Sequence, residues 1–115
     1  MTPPTIDQAT FDELKETAGA AFAVELVDTF LSEAPTMLAE LRRAYAAGDA
    51  EAFRRTAHSL KSNGNTFGAL SLAQLAKTLE LSGMEPVRAA AGAPLAALDA
   101  EYARVAQALK ELSRG

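Results

Sequence analysis

The sequence has a single histidine, His58, with cationic and small hydroxyl side chains close to it along the chain. In a helix, Arg54 and Lys61 would lie one turn before and one turn after this residue. A neutral imidazole is a nucleophile, and a neighbouring cation stabilises phosphoryl oxygens without competing as a nucleophile at neutral pH. Ser59 and Ser62 are short enough for a second protein to reach the ring. These residue types and their spacing suit His58 to act as a nucleophile to which another protein brings an electrophile such as a phosphoryl group.

Other uses of a lone histidine give alternative interpretations. A metal site would need further ligands, but Arg54 and Ser62 at the i±4 positions are poor ones, and the chain has no cysteine. A general base would need a cleft, which an outward helix face between small residues does not provide. A solvated histidine without a role stays open on helical geometry alone.

The helix that carries His58 is expected to turn the imidazole away from the core. At about 100° per residue, five side chains fall within about 40° of one direction, which we predict to be the buried one. They are Phe53, Ala57, Leu60, Gly64 and Phe67. On the same helical wheel His58 lies roughly 140° from that direction, Lys61 about 80°, Arg54 about 100°, Asn65 about 120°, Ser62 about 180° and Arg55 about 200°. His58 should therefore face solvent or a partner, and Gly64 should allow close packing of this helix on a neighbour.

Apolar residues at spacings of three and four predict helices over most of the chain. We predict a short helix from Asp7 or Thr10 to about Thr17, a second over 20–47, a third from Asp49 to Phe67, a fourth over 69–82 and a last one starting near Pro94. Pro35 should kink or break the second helix, and the stretch containing Pro86 and Gly92 should be loose. Long amphipathic helices with short connections predict an all-α fold, an up-and-down four-helix bundle with a short extra N-terminal helix.

Length and composition limit the function classes. With 115 residues the chain fits a single domain over 1–115, with residues 1–6 as a disordered lead. A net charge of −4 argues against nucleic-acid binding, and no apolar run is long enough to span a membrane. ATP binding is not indicated, because no glycine-rich phosphate loop is present. Without cysteine or a signal-peptide pattern the protein is expected in the cytoplasm, and a bundle that closes its own core is expected to be a monomer.

Residues 57–69 resemble the signature of a known family. The run AHSLKSNGNTFGA is similar to that of histidine-containing phosphotransfer (HPt) domains, roughly His-x-Leu-Lys-Gly and then an apolar residue, glycine and alanine. The similarity covers about 22–83, and the rest agrees by helix pattern only. It implies that His58 is the phosphoacceptor, that Lys61 is the supporting cation, and that Phe67 and Gly68 pack the helix end on the next helix. Ser62 stands where the family most often has glycine, so the surface beside the imidazole is slightly less open.

The resemblance implies a carrier of phosphate and not an enzyme. His58 would take a phosphoryl group from an aspartate of a response-regulator receiver domain or a hybrid histidine kinase and later pass it to a second receiver. The receiver would supply the magnesium ion and the catalytic groups, so this chain would need no cofactor or metal of its own. We expect the partner to contact the residues around the histidine, which are Arg54, Arg55, Ser59, Ser62 and Asn65.

Two other functions stay open. The dimerising phosphoacceptor domain of a sensor histidine kinase usually has an acidic residue directly after the histidine and a proline a few places on. Here Ser59 follows the histidine, and the next proline is Pro86. A plain interaction bundle would share the fold without transferring phosphate, so phosphate transfer to His58 separates it from a carrier.

Overall fold

The computed structural model of the chain describes residues 5–114. They contain six helices: α1 (Gln8–Ala18), α2 (Ala20–Ala47), α3 (Ala50–Phe67), α4 (Leu70–Ser82), α5 (Glu85–Ala89) and α6 (Ala93–Arg114). Helices α2, α3, α4 and α6 form the bundle, in which α3 packs between α2 and α4 while α6 contacts both α4 and α2. The predicted all-α four-helix bundle with a short extra N-terminal helix is confirmed. Among the described residues no helix is long and apolar enough to cross a membrane.

Apolar side chains from all six helices meet in one hydrophobic core. The largest of the fully buried ones include Phe11, Phe30, Leu41, Phe53, Leu60, Leu72, Val87, Leu98, Val105 and Leu109. Phe30 of α2 joins three helices, because its ring centroid lies 5.2 Å from that of Phe67 and 6.0 Å from that of Tyr102. These contacts hold α3 and α6 against α2, and so help to fix which face of α3 is buried.

Local signals set both ends of α3. Gly48 ends α2 in the left-handed conformation at φ 72°, and the Asp49 side chain then accepts a hydrogen bond from the Ala52 amide at 3.1 Å. Gly68 ends α3 at φ 79°, and its carbonyl oxygen accepts a hydrogen bond from the Asp7 amide at 2.7 Å. A Cβ on Gly68 would lie 2.8 Å from the Asp7 carbonyl oxygen. Glycine is therefore needed here both for the turn and for the contact with the start of α1.

Gly64 lets α3 and α4 approach each other closely. A Cβ at this position would lie 3.1 Å from the Cβ of Ala73 on α4 and 3.2 Å from the carbonyl oxygen of Ala69. Interhelical distance depends on the size of the side chains at the contact, and here one of them is absent. The close packing predicted for Gly64 is confirmed.

Three sequence-based expectations need correction. Helix α2 continues through Pro35, so the predicted break is absent. The exposed proline removes one backbone hydrogen bond, but Ala34 and Leu41 keep the surrounding turns in the core.

Of the predicted disordered lead over 1–6, residues 1–4 lie outside the described residues, but Ile6 is only 7% exposed and packs in the core. The stretch predicted to be loose contains the short helix α5, which is anchored by the fully buried Val87.

Candidate functional site

The histidine lies on the outer face of α3. The side chain of His58 is 54% exposed, whereas those of Ala57 and Leu60 nearby on the same helix are fully buried. All five residues predicted to face the core are buried, namely Phe53, Ala57, Leu60, Gly64 and Phe67. The predicted orientation of α3 is therefore confirmed, and it leaves the imidazole open to a second protein.

A carboxylate from α4 holds the imidazole and the neighbouring lysine. Oε2 of Glu80 lies 2.7 Å from Nδ1 of His58, and Oε1 lies 2.9 Å from Nζ of Lys61. The buried Oε1 has no well-aligned hydrogen bond, so its contact with the lysine is an ion pair. The Glu80 side chain is only 12% exposed, which keeps it in one place between the two helices. We call these three residues the Glu80 triad.

Glu80 determines which imidazole nitrogen carries the proton. Two contacts hold the pKa of Glu80 below its ordinary value: the contact with Lys61 has the larger effect, and the hydrogen bond with His58 the next largest. Glu80 is therefore a carboxylate at neutral pH. A carboxylate only accepts hydrogen bonds, so Nδ1 must donate, and in the neutral ring Nε2 then carries the free lone pair. Because the pKa of Glu80 is lowered in the folded state, its pairing stabilises the fold at pH values above the ordinary pKa of glutamate. This stabilisation is lost as the pH falls through the lowered value.

The three cations predicted around His58 have different surroundings. Lys61 shares Glu80 with the histidine. Arg54 pairs with Glu51 of its own helix at 2.6 Å, so much of its charge is compensated locally. Arg55 forms no ion pair within residues 5–113 and lies toward α2. Of the three, Lys61 alone shares a partner with the histidine.

The predicted partner-contact residues divide between two grooves and the face between them. Arg55 and Ser59 line a groove of about 390 Å³ between α2 and α3, together with Thr36, Met37, Glu40 and Thr56. Asn65 lies with Lys61 in a second groove, between α3 and α4. Ser62 is exposed on the outer face of α3. The face that carries the histidine is thus flanked by a groove on each side.

Sequence reasoning assigned no role to Glu80, although a signal for it was present. Helices α3 and α4 are joined only by Gly68 and Ala69, so they form an antiparallel hairpin. His58 precedes Gly68 by ten residues and Glu80 follows it by twelve, so the two lie at similar distances from the turn. A carboxylate at that distance is a natural partner for an imidazole on the facing helix.

Known proteins share this sequence pattern and fold. The family model described as Hpt domain matches residues 25–111. The crystal structure of histidine-containing phosphotransfer protein B (HptB) from Pseudomonas aeruginosa PAO1 is similar with a TM-score of 0.87 and 32% sequence identity, over 98% of this chain and 97% of that one. No curated protein sequence matches the chain.

The helical bundle and its exposed imidazole, held by a carboxylate, agree with the class of histidine phosphotransfer modules. The match over residues 25–111 shows that this chain belongs to the Hpt domain family. It is a phosphotransfer intermediate of two-component phosphorelays, in which Hpt domains interact with receiver domains and kinases.

Proposed function

We propose that His58 is the phosphoacceptor and that it reacts through Nε2. The observation that carries this proposal is the Glu80 hydrogen bond to Nδ1 of a half-exposed imidazole. It leaves Nε2 as the unprotonated nitrogen, on a side chain that a partner can reach. Family membership supplies the class of reaction, and the geometry supports this residue and this atom.

In the proposed step, the Nε2 lone pair attacks the phosphorus of a phosphoaspartate on the partner receiver. The P–N bond forms as the P–O bond to the aspartate breaks, and the aspartate leaves as a carboxylate. The ring then carries positive charge, which the Glu80 carboxylate compensates through the proton on Nδ1. The Lys61 ammonium stabilises the phosphoryl oxygens from one turn along α3. The reverse of this step passes the group to a second receiver.

On this proposal the chain is a carrier, and its partner completes the catalytic machinery. Phosphoryl transfer depends on positioning and charge neutralisation more than on covalent help from the protein. We place the magnesium ion and the remaining catalytic groups in the receiver, with no cofactor on this chain. We further propose that the protein acts in the cytoplasm, where phosphorelays operate. We also propose that it is a monomer, since one chain supplies the whole hydrophobic core.

A transfer assay tests the proposal. Phosphorylated receiver domains are mixed singly with this chain, and the acid-labile label on it is followed and mapped by proteolysis. We expect at least one receiver to label the peptide that contains His58, and NMR of the isotope-labelled phosphoprotein to show phosphorus coupling at Nε2. Absence of label from every receiver would favour the non-transferring interaction bundle. Label on another residue would overturn the assignment of His58.

Removing the Glu80 side chain should slow transfer without unfolding the bundle. In Glu80→Ala, Nδ1 loses its acceptor, so the ring populates both tautomers, and we expect a rate about tenfold lower at saturating receiver. Glu80→Gln is the matched control, because its amide oxygen still accepts from Nδ1, and it should lose less. NMR of the imidazole nitrogens should show Nδ1 protonated in the wild type and mixed tautomers in Glu80→Ala. Unchanged rate and tautomer in the alanine variant would contradict a positioning role.

Lys61 and Arg55 should affect different steps. Lys61→Ala should lower the transfer rate at saturating receiver about tenfold, because a cation beside the phosphoryl group is lost. Arg55→Ala should slow docking modestly and flatten its salt dependence, because Arg55 lies in the α2–α3 groove away from Glu80. Stopped-flow kinetics at two ionic strengths separate these effects. If both variants match the wild type, the cations are only solvated, while the assignment of His58 stands.

A further inference from the structure

The groove between α3 and α4 continues directly from the Glu80 triad. This α3–α4 groove has a volume of about 280 Å³ and is lined by Lys61, Asn65, Leu70, Ala73, Gln74 and Lys77. Lys61 belongs both to the groove and to the pair with Glu80. Lys77 precedes Glu80 by one turn of α4, about 4.5 Å along the helix axis. An occupant of this groove would therefore lie beside the phosphoryl group on His58 without replacing it.

The α3–α4 groove presents hydrogen-bond donors that have no internal partner. Within residues 5–113, Lys77 forms no ion pair, and the side-chain amides of Asn65 and Gln74 make no hydrogen bond. Most arginines of that part of the chain are paired with carboxylates, namely Arg42, Arg43, Arg54, Arg88 and Arg104. Lys61 is paired with Glu80, so Lys77 is the lysine of this groove whose charge no carboxylate of the described residues compensates, and it makes the groove locally positive on a chain of net charge −4. Its charge is complementary to a carboxylate-bearing partner.

The lining of the groove suits an extended segment of protein. The close approach of Gly64 and Ala73 leaves small groups at the floor. Leu70 is 50% exposed and offers an apolar contact. Primary amides both donate and accept, so Asn65 and Gln74 can pair with the backbone groups of a loop, which an isolated anion would not need.

We propose that the α3–α4 groove binds an acidic loop of the partner receiver, with Lys77 as its anchoring cation. This inference rests on the proposed function, because it brings the same partner to the same face of α3. Lys61 contacts the phosphoryl group, while Lys77 holds the loop one turn away. Lys77 therefore controls affinity for the receiver and not the rate of bond transfer.

Charge reversal at Lys77 tests the proposal. The probe is the phosphorylated receiver domain that labels the wild-type chain fastest in the transfer assay. Lys77→Glu should raise the half-saturating receiver concentration about fivefold or more, weaken its salt dependence and leave the saturating rate unchanged. Lys110→Glu is the matched control, because it makes the same charge change at an exposed lysine of α6 outside the groove, and it should behave as the wild type.

Each outcome separates the groove from the transfer step. Equal half-saturating concentrations for Lys77→Glu and Lys110→Glu would overturn the groove proposal and leave the phosphoacceptor role of His58 standing. A lower saturating rate in Lys77→Glu, with an unchanged half-saturating concentration, would overturn it as well. Rescue of Lys77→Glu by changing one receiver carboxylate to lysine would support it and identify the loop. If no receiver labels the wild type, the proposed function fails, and the groove proposal fails with it.

Discussion

His58→Gln should accept no phosphate while keeping the fold of the wild-type protein. Glutamine offers no nucleophilic nitrogen, because the amide lone pair is delocalised. The replaced side chain is 54% exposed and hydrogen-bonds to Glu80, so little core packing is lost. The new amide can donate a hydrogen bond to the same carboxylate, which keeps the buried group paired. We therefore expect complete loss of acid-labile label with an unchanged helical spectrum.

Circular dichroism, urea unfolding and the receiver transfer assay measure both parts of this prediction. Thr66→Ala is a control on the same helix, because its hydroxyl donates a hydrogen bond to the Ser62 carbonyl at 3.0 Å and it lies about two turns from His58. This control should transfer at the wild-type rate. Acid-labile phosphate on His58→Gln would place the acceptor on another residue. A large loss of helix would show that His58 has a structural role.

The orientation of α3 could be predicted from the sequence because its determinants are local. Buried residues recur with the helical period from Phe53 to Phe67, and the capping residues Asp49 and Gly68 stand at the two ends. Together these signals determine which residues face the core, and so they place His58 outside it. The pairing of Arg54 with Glu51 also follows from a spacing of three residues and was open to prediction.

The Glu80 contact could not be predicted from helical periodicity, because it depends on the register between two helices. A shift of α4 by one turn would place Lys77 instead of Glu80 beside the imidazole and remove the acceptor from Nδ1. The register is set by tertiary packing, which includes the close approach of Gly64 and Ala73. A pattern within one helix contains no information about that contact.

The continuity of α2 has a similar tertiary cause. Pro35 lowers the local preference for helix, and this local signal predicted an interruption. The turns on both sides of it carry side chains that are buried in the shared core, including Phe30, Ala34 and Leu41. Burial of these groups outweighs the loss of one hydrogen bond, since helical stability in proteins comes mostly from packing.

Leu60→Ala should destabilise the domain strongly, because Leu60 is fully buried at the middle of the inner face of α3. Truncating a buried leucine costs about 2–5 kcal/mol, from lost transfer free energy and the cavity left behind. Total stability of a domain is about 5–15 kcal/mol, so this cost is a substantial fraction of the total. Urea unfolding followed by circular dichroism measures the change in the free energy of unfolding.

Leu81→Ala makes the matched comparison, since the same side chain is truncated at a helical position that is 73% exposed. Its cost should stay within about 0.5 kcal/mol, so the difference between the two variants isolates burial from helix propensity. The comparison bears on function because Leu60 and His58 are two residues apart on one helix and cannot both face the core. If Leu60→Ala lost well under 1 kcal/mol, a cost below the usual range for a buried leucine, α3 would have to be rotated about its axis. The outward position of His58 and its hydrogen bond with Glu80 would then be wrong together.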